Sequence, residues 1–308
     1  MKMAKFYYHI HGLNVKSSLY FPELISGNPN SDVNIYLGRS DFFNNLLPDE
    51  NKTGFSKIIF SSKDIVYLWD NQPIFRVKSG KKIIINPEIS TKTMFNRYLI
   101  LGQGMGTLLM QRGMLVLHAS AVNIDGGAVA FIGCCGDGKS TIATTMNKIG
   151  YSFVTDDILT VKFDEINKPS VFPSFPKAKL DENTIIYMKD KPDSFQKIHP
   201  ETKKYSYNII DNFSLNSLPL KNIYILENSN KNDIISLKAE DALIELIKNS
   251  YANNLFSDTE REKNLFQCAN LVKKVPVKRL KILKSLNKLE NLIKIVEKDV
   301  NSKNKYKP

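Results

Sequence analysis

Ala128-Val129-Ala130-Phe131-Ile132-Gly133-Cys134-Cys135-Gly136-Asp137-Gly138-Lys139-Ser140-Thr141 is the stretch on which the fold turns. Its first five residues form a continuous apolar run, the pattern of a strand buried on both faces of its sheet. A glycine-rich turn follows. Then comes a helical pattern over about 139–149, ending at Gly150, a natural residue just beyond a helix C-terminus. Strand, glycine turn and helix in this order predict an α/β domain.

Gly133, Gly138, Lys139 and Ser140 fit the spacing Gly-x-x-x-x-Gly-Lys-Ser, the Walker A pattern. The glycines let the backbone curl so that successive N–H groups point inward at phosphate oxygens. The helix starting near Lys139 adds the positive end of its dipole. The Lys139 ammonium reaches the β- and γ-phosphates, and the Ser140 hydroxyl ligates Mg²⁺. The expected ligands are ATP and Mg²⁺, with Gly133, Gly136, Asp137, Gly138, Lys139, Ser140 and Thr141 around the phosphates. Cys134 and Cys135 lie inside the loop, where a helix N-terminus lowers a thiol pKa and makes a redox sensor conceivable. The simpler reading is that both are small residues that fit a tight loop.

Downstream, Ser152-Phe153-Val154 predicts a short strand that ends in Thr155-Asp156-Asp157. Two carboxylates thereby stand at the carboxyl edge of a strand, where α/β ligand sites lie. A Mg-nucleotide needs a carboxylate near the metal, and transfer to a hydroxyl needs an acceptor for its proton. Adjacent aspartates can divide those roles. Neighbours in a strand point to opposite faces, so the pair is expected to break regular strand geometry.

Upstream, strands are expected at 114–118 and 120–124, with Asp125-Gly126 as a hairpin turn. A Leu- and Met-rich helix is expected at about 91–112, capped by Ser90 or Thr91 and ended by Gly113. It contains Gly102, Gly104 and Gly106. These sit inside a helical pattern and not between strand and helix, so they predict close packing and not a second phosphate loop. Residues 5–88 predict a β-rich unit with strands at 6–10, 33–37, 57–60, 65–69, 74–77 and 82–85. Beyond the aspartates, strands are expected at 158–163, 170–172, 205–210 and 221–226, and helices at about 239–250, 258–268 and 285–298. Residues 189–204 read as a polar, Lys-rich loop, a candidate lid or substrate loop. The domain reading is 1–90 for the β-rich unit and 91–308 for the nucleotide-binding unit, which includes a basic C-terminal tail.

The 308 residues are 42% apolar and 24% charged, enough for a sizeable core and unlike a disordered chain. No apolar run approaches the ~18–20 residues that span a bilayer, and no signal-peptide pattern is present. Three cysteines, two of them adjacent, do not make a disulfide framework. A cytoplasmic protein is expected. Of the formal charge of +12, residues 271–308 carry +9. No nucleic-acid module accompanies that charge, so a solvated basic face is the preferred reading. His9, His11 and His199 are read as structural or exposed, not as metal ligands.

Leu117-His118-Ala119-Ser120-Ala121-Val122, the loop Gly133 to Ser140, and Lys148-Ile149-Gly150-Tyr151-Ser152-Phe153-Val154-Thr155-Asp156-Asp157 together resemble the catalytic core of HPr serine kinase/phosphorylase. The resemblance implies a phosphoenolpyruvate-carboxykinase-like P-loop kinase domain beside the smaller β-rich N-terminal domain. Within that superfamily the chain looks most like the HPr-kinase-like proteins of lasso-peptide gene clusters, which phosphorylate a C-terminal serine of a precursor peptide. Further matching blocks are Tyr8-His9-Ile10-His11-Gly12-Leu13, Gln111-Arg112-Gly113-Met114-Leu115-Val116, Val171-Phe172-Pro173-Ser174-Phe175-Pro176-Lys177-Ala178-Lys179-Leu180 and Val275-Pro276-Val277-Lys278-Arg279-Leu280. By this resemblance Asp156 is the general base and His118 lies beside it and orients it. Asp157 and Ser140 hold Mg²⁺, Lys139 polarises the γ-phosphate, and Arg279 is a candidate phosphate or peptide contact. The chain departs from true HPr kinase/phosphorylase in lacking the glycine- and glutamate-rich signature after the aspartates. Recognition of HPr and phosphorylase activity are therefore not implied.

Three functions compete: a serine kinase of a ribosomal precursor peptide, a kinase of a folded HPr-like protein, and a nucleotide-binding regulator with little catalysis. A homo-oligomer is compatible with each. The intact Lys139, Ser140, Asp156 and Asp157 favour catalysis, and the missing signature favours the peptide over HPr.

Overall fold

The computed structural model describes residues 5–43, 46, 54–89, 93–209, 211–251, 258–283 and 285–302. The chain forms two compact units. One is Met1–Val116 with Tyr251–Arg261, the other Leu117–Ser250 with Glu262–Pro308. The division falls after Val116, not near residue 90. The helical segment beyond residue 93 groups with the N-terminal sheet, whose Phe75 and Ile83 it packs against at Gly104.

In the first unit, β1 (Phe6–Ile10), β2 (Leu13–Ser17), β3 (Ile25–Ser26), β4 (Val33–Leu37), β5 (Phe55–Ser61), β6 (Asp64–Trp69), β7 (Gln72–Lys78) and β8 (Lys82–Ile85) make one sheet in the order β3-β1-β2-β4-β8-β7-β6-β5. All six expected strands are there. β2 and β3 are additional. The turn between β1 and β2 is His11-Gly12, both at positive φ. A histidine in the left-handed region is a weak turn signal, which hid the hairpin.

The single helix expected at 91–112 is broken in type: α1 (Met94–Leu99), a π-helical turn over Ile100–Gly104, and α2 (Met105–Gln111). Ser90 and Thr91 lie outside the described residues. Thr93 caps α1, its hydroxyl accepting Asn96 N–H at 3.4 Å. The glycines serve close packing. A Cβ on Gly104 would press on Phe75 at 3.3 Å, and one on Gly106 would collide with the Tyr251 ring.

The second unit is mixed α/β, and β9 (Leu115–Leu117) spans the division between the units. Its elements are β10 (Ala119–Ile124), β11 (Gly127–Ile132), α3 (Lys139–Lys148), β12 (Ser152–Thr155), β13 (Leu159–Phe163), β14 (Pro169–Phe172), β15 (Lys177–Asp181), α4 (Glu182–Tyr187), β16 (Lys204–Asn208), β17 (Leu218–Ser229), β18 (Asp233–Ser236), α5 (Ala239–Lys248), α6 (Asp258–Lys274), β19 (Val277–Leu283) and α7 (Leu289–Ser302). Its main sheet runs β12-β10-β11-β17-β14-β13, with β19 also beside β17 and β18 beside β19. β11, β17 and β19 are parallel, whereas β10 pairs antiparallel with both β11 and β12.

β11 is buried at all six positions, as its apolar run requires. Asp125-Gly126, both at positive φ, turns β10 into β11. The core on the α3 side joins Val122, Phe131, Ile142, Met146, Phe153 and Tyr224 to Leu292 and Val296 of α7. The β15–β16 pair forms a separate two-stranded ribbon whose Ala178 and Leu180 enter the same core. β15 and α4 were not expected from the sequence. Asp181 ends one and caps the other, its Oδ1 accepting Thr184 N–H at 2.9 Å.

Candidate functional site

The loop after β11 curls through Gly136 and Gly138, at φ +88° and +95°. Other residues rarely adopt these values, and a Cβ at either position would meet open space. The need for glycine there is therefore conformational. Such an open curl of backbone ahead of the ten-residue helix α3 is the shape that fits a phosphate.

Lys139 is buried, and its Nζ donates to Gly133 O at 2.7 Å and Cys134 O at 2.9 Å. Burial lowers its pKa, opposed by the charges of Asp156 and Asp157. The Asp137 carboxylate turns back on the loop, its Oδ2 accepting Cys134 N–H at 2.6 Å.

β12 ends at Thr155, and Asp157 takes φ +71°. The strand breaks where the two carboxylates begin, as expected, and the break sends them to different partners. Asp156 is buried and accepts three bonds. Ser120 Oγ and Ser140 Oγ donate to its Oδ1 at 2.6 and 2.8 Å, and Lys179 N donates to its Oδ2 at 2.8 Å. Asp157 lies between two cations or potential cations: His118 Nε2 at 3.0 Å from Oδ1 and Lys179 Nζ at 2.8 Å from Oδ2. Burial would raise the Asp157 pKa. The Lys179 charge and the His118 hydrogen bond outweigh it and hold the carboxyl well below the usual range. Lys179 is shifted the other way: burial lowers it, and the Asp157 charge raises it above the ordinary lysine value.

One expectation is corrected. His118 lies beside Asp157, not Asp156, because it sits just past the end of β9, its N–H bonded to Asn249 O at 2.9 Å. Ser140 contacts Asp156. Arg279 is engaged elsewhere, with Glu227 at 3.1 Å and Glu245 at 3.8 Å. Thr141 Oγ1 bonds Thr184 Oγ1 at 3.0 Å. Ser120 and Lys179 are site residues that the sequence reading passed over.

The donors fit magnesium. Ser140 and Asp156 offer hard oxygens beside the loop. Among the described residues no three His, Cys, Asp or Glu side chains form a metal cluster. A magnesium ion that shares its shell with phosphates and water needs only one or two carboxylates. His9 bonds Asn14, and His11 is wholly buried, its pKa pushed down to about 3 by that burial. No described helix is long and apolar enough to cross a membrane.

Neither a protein-family model nor a curated protein matches the chain. Among solved structures, the HPr(Ser) kinase/phosphatase from Coxiella burnetii is similar at 10% identity and a TM-score of 0.32, covering 60% of this chain and 98% of that one.

Proposed function

We propose that this chain is an ATP-dependent kinase that phosphorylates a serine hydroxyl. The observation that carries the reading is the bond from Ser140 to Asp156, which joins the phosphate loop to the aspartate pair at a single point. A glycine curl alone would be a nucleotide site. A curl with a metal-type oxygen pair on one side and a second, differently partnered carboxylate beside it is a transfer site.

When bound, Mg²⁺ would supply positive charge to offset that of the phosphates. Ser140 and Asp156 would hold it. The Lys139 ammonium binds the phosphates in place of the two loop carbonyls. Asp157 fixes the His118 ring, and this pair takes the serine proton. Lys179 holds both carboxylates in place, one through its backbone N–H and one through its ammonium. This exchanges the roles that the resemblance implied for Asp156 and Asp157, following the hydrogen bonds of each.

The finer parts of the proposal rest on the sequence blocks quoted above: a phosphoenolpyruvate-carboxykinase-like fold for the second unit, and a ribosomal precursor peptide ending in serine as substrate. The test is mass spectrometry of serine-terminated peptides after incubation with the chain and Mg-ATP. A phosphate added at the serine supports the proposal. Tight Mg-ATP binding with no transfer to any peptide or to HPr would favour a regulator instead.

A further inference from the structure

A cavity of about 240 Å³ opens directly beside the phosphate loop. One side of it is the loop itself and Thr141 at the start of α3. The facing wall is aliphatic, built by Leu283 at the end of β19 and by Leu286 and Leu289 leading into α7. Asn183 at the start of α4 and Asn228 near the end of β17 stand at its rim with exposed side chains. Nothing in the transfer chemistry above uses this space.

We infer that the cavity receives the nucleoside part of the triphosphate, with a purine ring against the leucine wall and the ribose at the polar rim. This rests on the phosphate-loop reading. Three features of the site support it. The first is direction. Lys139 and Ser140 mark the β,γ end of the phosphates, so the nucleoside leaves on the side of Thr141, where the cavity begins.

The second is charge. Asp137 and Asp181 line the cavity with one lysine, Lys288. That balance disfavours a second anionic group and suits a neutral ring with hydroxyls. The third is size and surface. The volume lies below the roughly 300–1,000 Å³ of pockets for drug-sized ligands, so it matches one fused ring with its sugar. A flat ring on an aliphatic wall gains affinity by burying apolar surface, which an inorganic polyphosphate cannot do.

The test compares the Mg²⁺ complexes of ATP, CTP and inorganic tripolyphosphate by calorimetry on the full chain. ATP should bind at least tenfold tighter than tripolyphosphate, with CTP between them because its single ring covers less of the wall. In a Leu283→Ala, Leu286→Ala double variant the ATP advantage should shrink at least fivefold while tripolyphosphate affinity stays the same. Equal affinity of ATP and tripolyphosphate for the unaltered chain would overturn the proposal and leave the phosphate loop standing. So would a double variant that keeps the full ATP advantage. If the double variant lost tripolyphosphate binding through misfolding, the three-ligand comparison on the unaltered chain would decide. Failure of all three ligands to bind would overturn the phosphate-loop reading, and this proposal with it.

Discussion

The Ser140 hydroxyl donates to Asp156 Oδ1 at 2.8 Å, a bond from the first turn of α3 to the residue after β12. Since Asp156 also holds Ser120 and the Lys179 backbone, the loop is moored to the sheet through one buried carboxylate. Mooring of this kind fixes the loop before any ligand arrives, with the Lys139 ammonium held against the Gly133 and Cys134 carbonyls.

Lys139→Ala should therefore weaken Mg-ATP binding. The ammonium now held by two carbonyls would otherwise make a charge-assisted bond to phosphate, worth about 1.5–3 kcal/mol. Calorimetry should show a loss of roughly tenfold or more. Unchanged affinity in a variant with a normal melting curve would remove the phosphate-loop assignment.

The three cysteines should react at different rates. Cys134 and Cys135 are exposed on the loop, whereas Cys268 is fully buried and its thiol is pushed up to about 11 by that burial. The thiolate is the reactive form. Iodoacetamide should label the native protein at the two loop cysteines and reach Cys268 only after denaturation. Mg-ATP should slow the loop labelling. Equal rates with and without Mg-ATP would place both side chains away from the ligand.

How far the sequence foretold this site depends on how local each signal is. β11, the glycine curl and α3 were legible because strand, turn and helix each leave their mark within a few residues. The break at Asp156-Asp157 was legible too, since two carboxylates cannot both follow a regular strand. Ser120 and Lys179 reach Asp156 from 36 and 23 residues away, through a strand pairing and a ribbon that no short-range pattern announces. Asp157 takes a positive φ, which an aspartate adopts without a sequence signal. Arg279 misled for the opposite reason. A basic residue in a strand looks available until Glu227 and Glu245 are seen beside it.

In the first unit, Asp64 carries a pH-dependent share of stability. Burial would raise its pKa, but Arg76 donates to both its oxygens at 2.6 and 2.7 Å and holds it below the usual value. A depressed folded-state pKa contributes stability that is full above the unfolded value, near pH 4, and is lost as the pH falls below it. Asp64→Asn should cost about 1–3 kcal/mol at pH 7, and the gap from the unaltered chain should narrow toward pH 3. Thermal melts across that range read it directly. A gap that stayed constant or widened in acid would mean that the ion pair is not what stabilises this turn of the sheet.

The last prediction separates the two aspartates. Asp156 shares its Oδ1 with Ser140, whereas Asp157 is bound to His118 and Lys179. Asp156→Asn removes charge from the metal side, so the Mg²⁺ requirement should rise and excess Mg²⁺ should restore part of the turnover. Asp157→Asn frees His118 and leaves the Lys179 ammonium without its partner. Mg-ATP binding should survive this change, while transfer to serine falls by ~10²–10⁴-fold, the usual contribution of a positioned acid or base. The lower end is expected, because a loose phosphoryl transition state needs little early deprotonation. His118→Ala should follow Asp157→Asn in kind, with Mg²⁺ dependence unaltered. Lys179→Met should follow Asp157→Asn, since it removes the ammonium from Asp157 and keeps the backbone N–H that donates to Asp156. The assay is peptide phosphorylation across a Mg²⁺ titration, with nucleotide binding measured in parallel. Should Asp157→Asn shift the Mg²⁺ requirement and Asp156→Asn leave it alone, the roles run the other way and the hydrogen bonds rearrange when nucleotide binds. Were both variants fully active, the aspartate pair would not be the reacting centre.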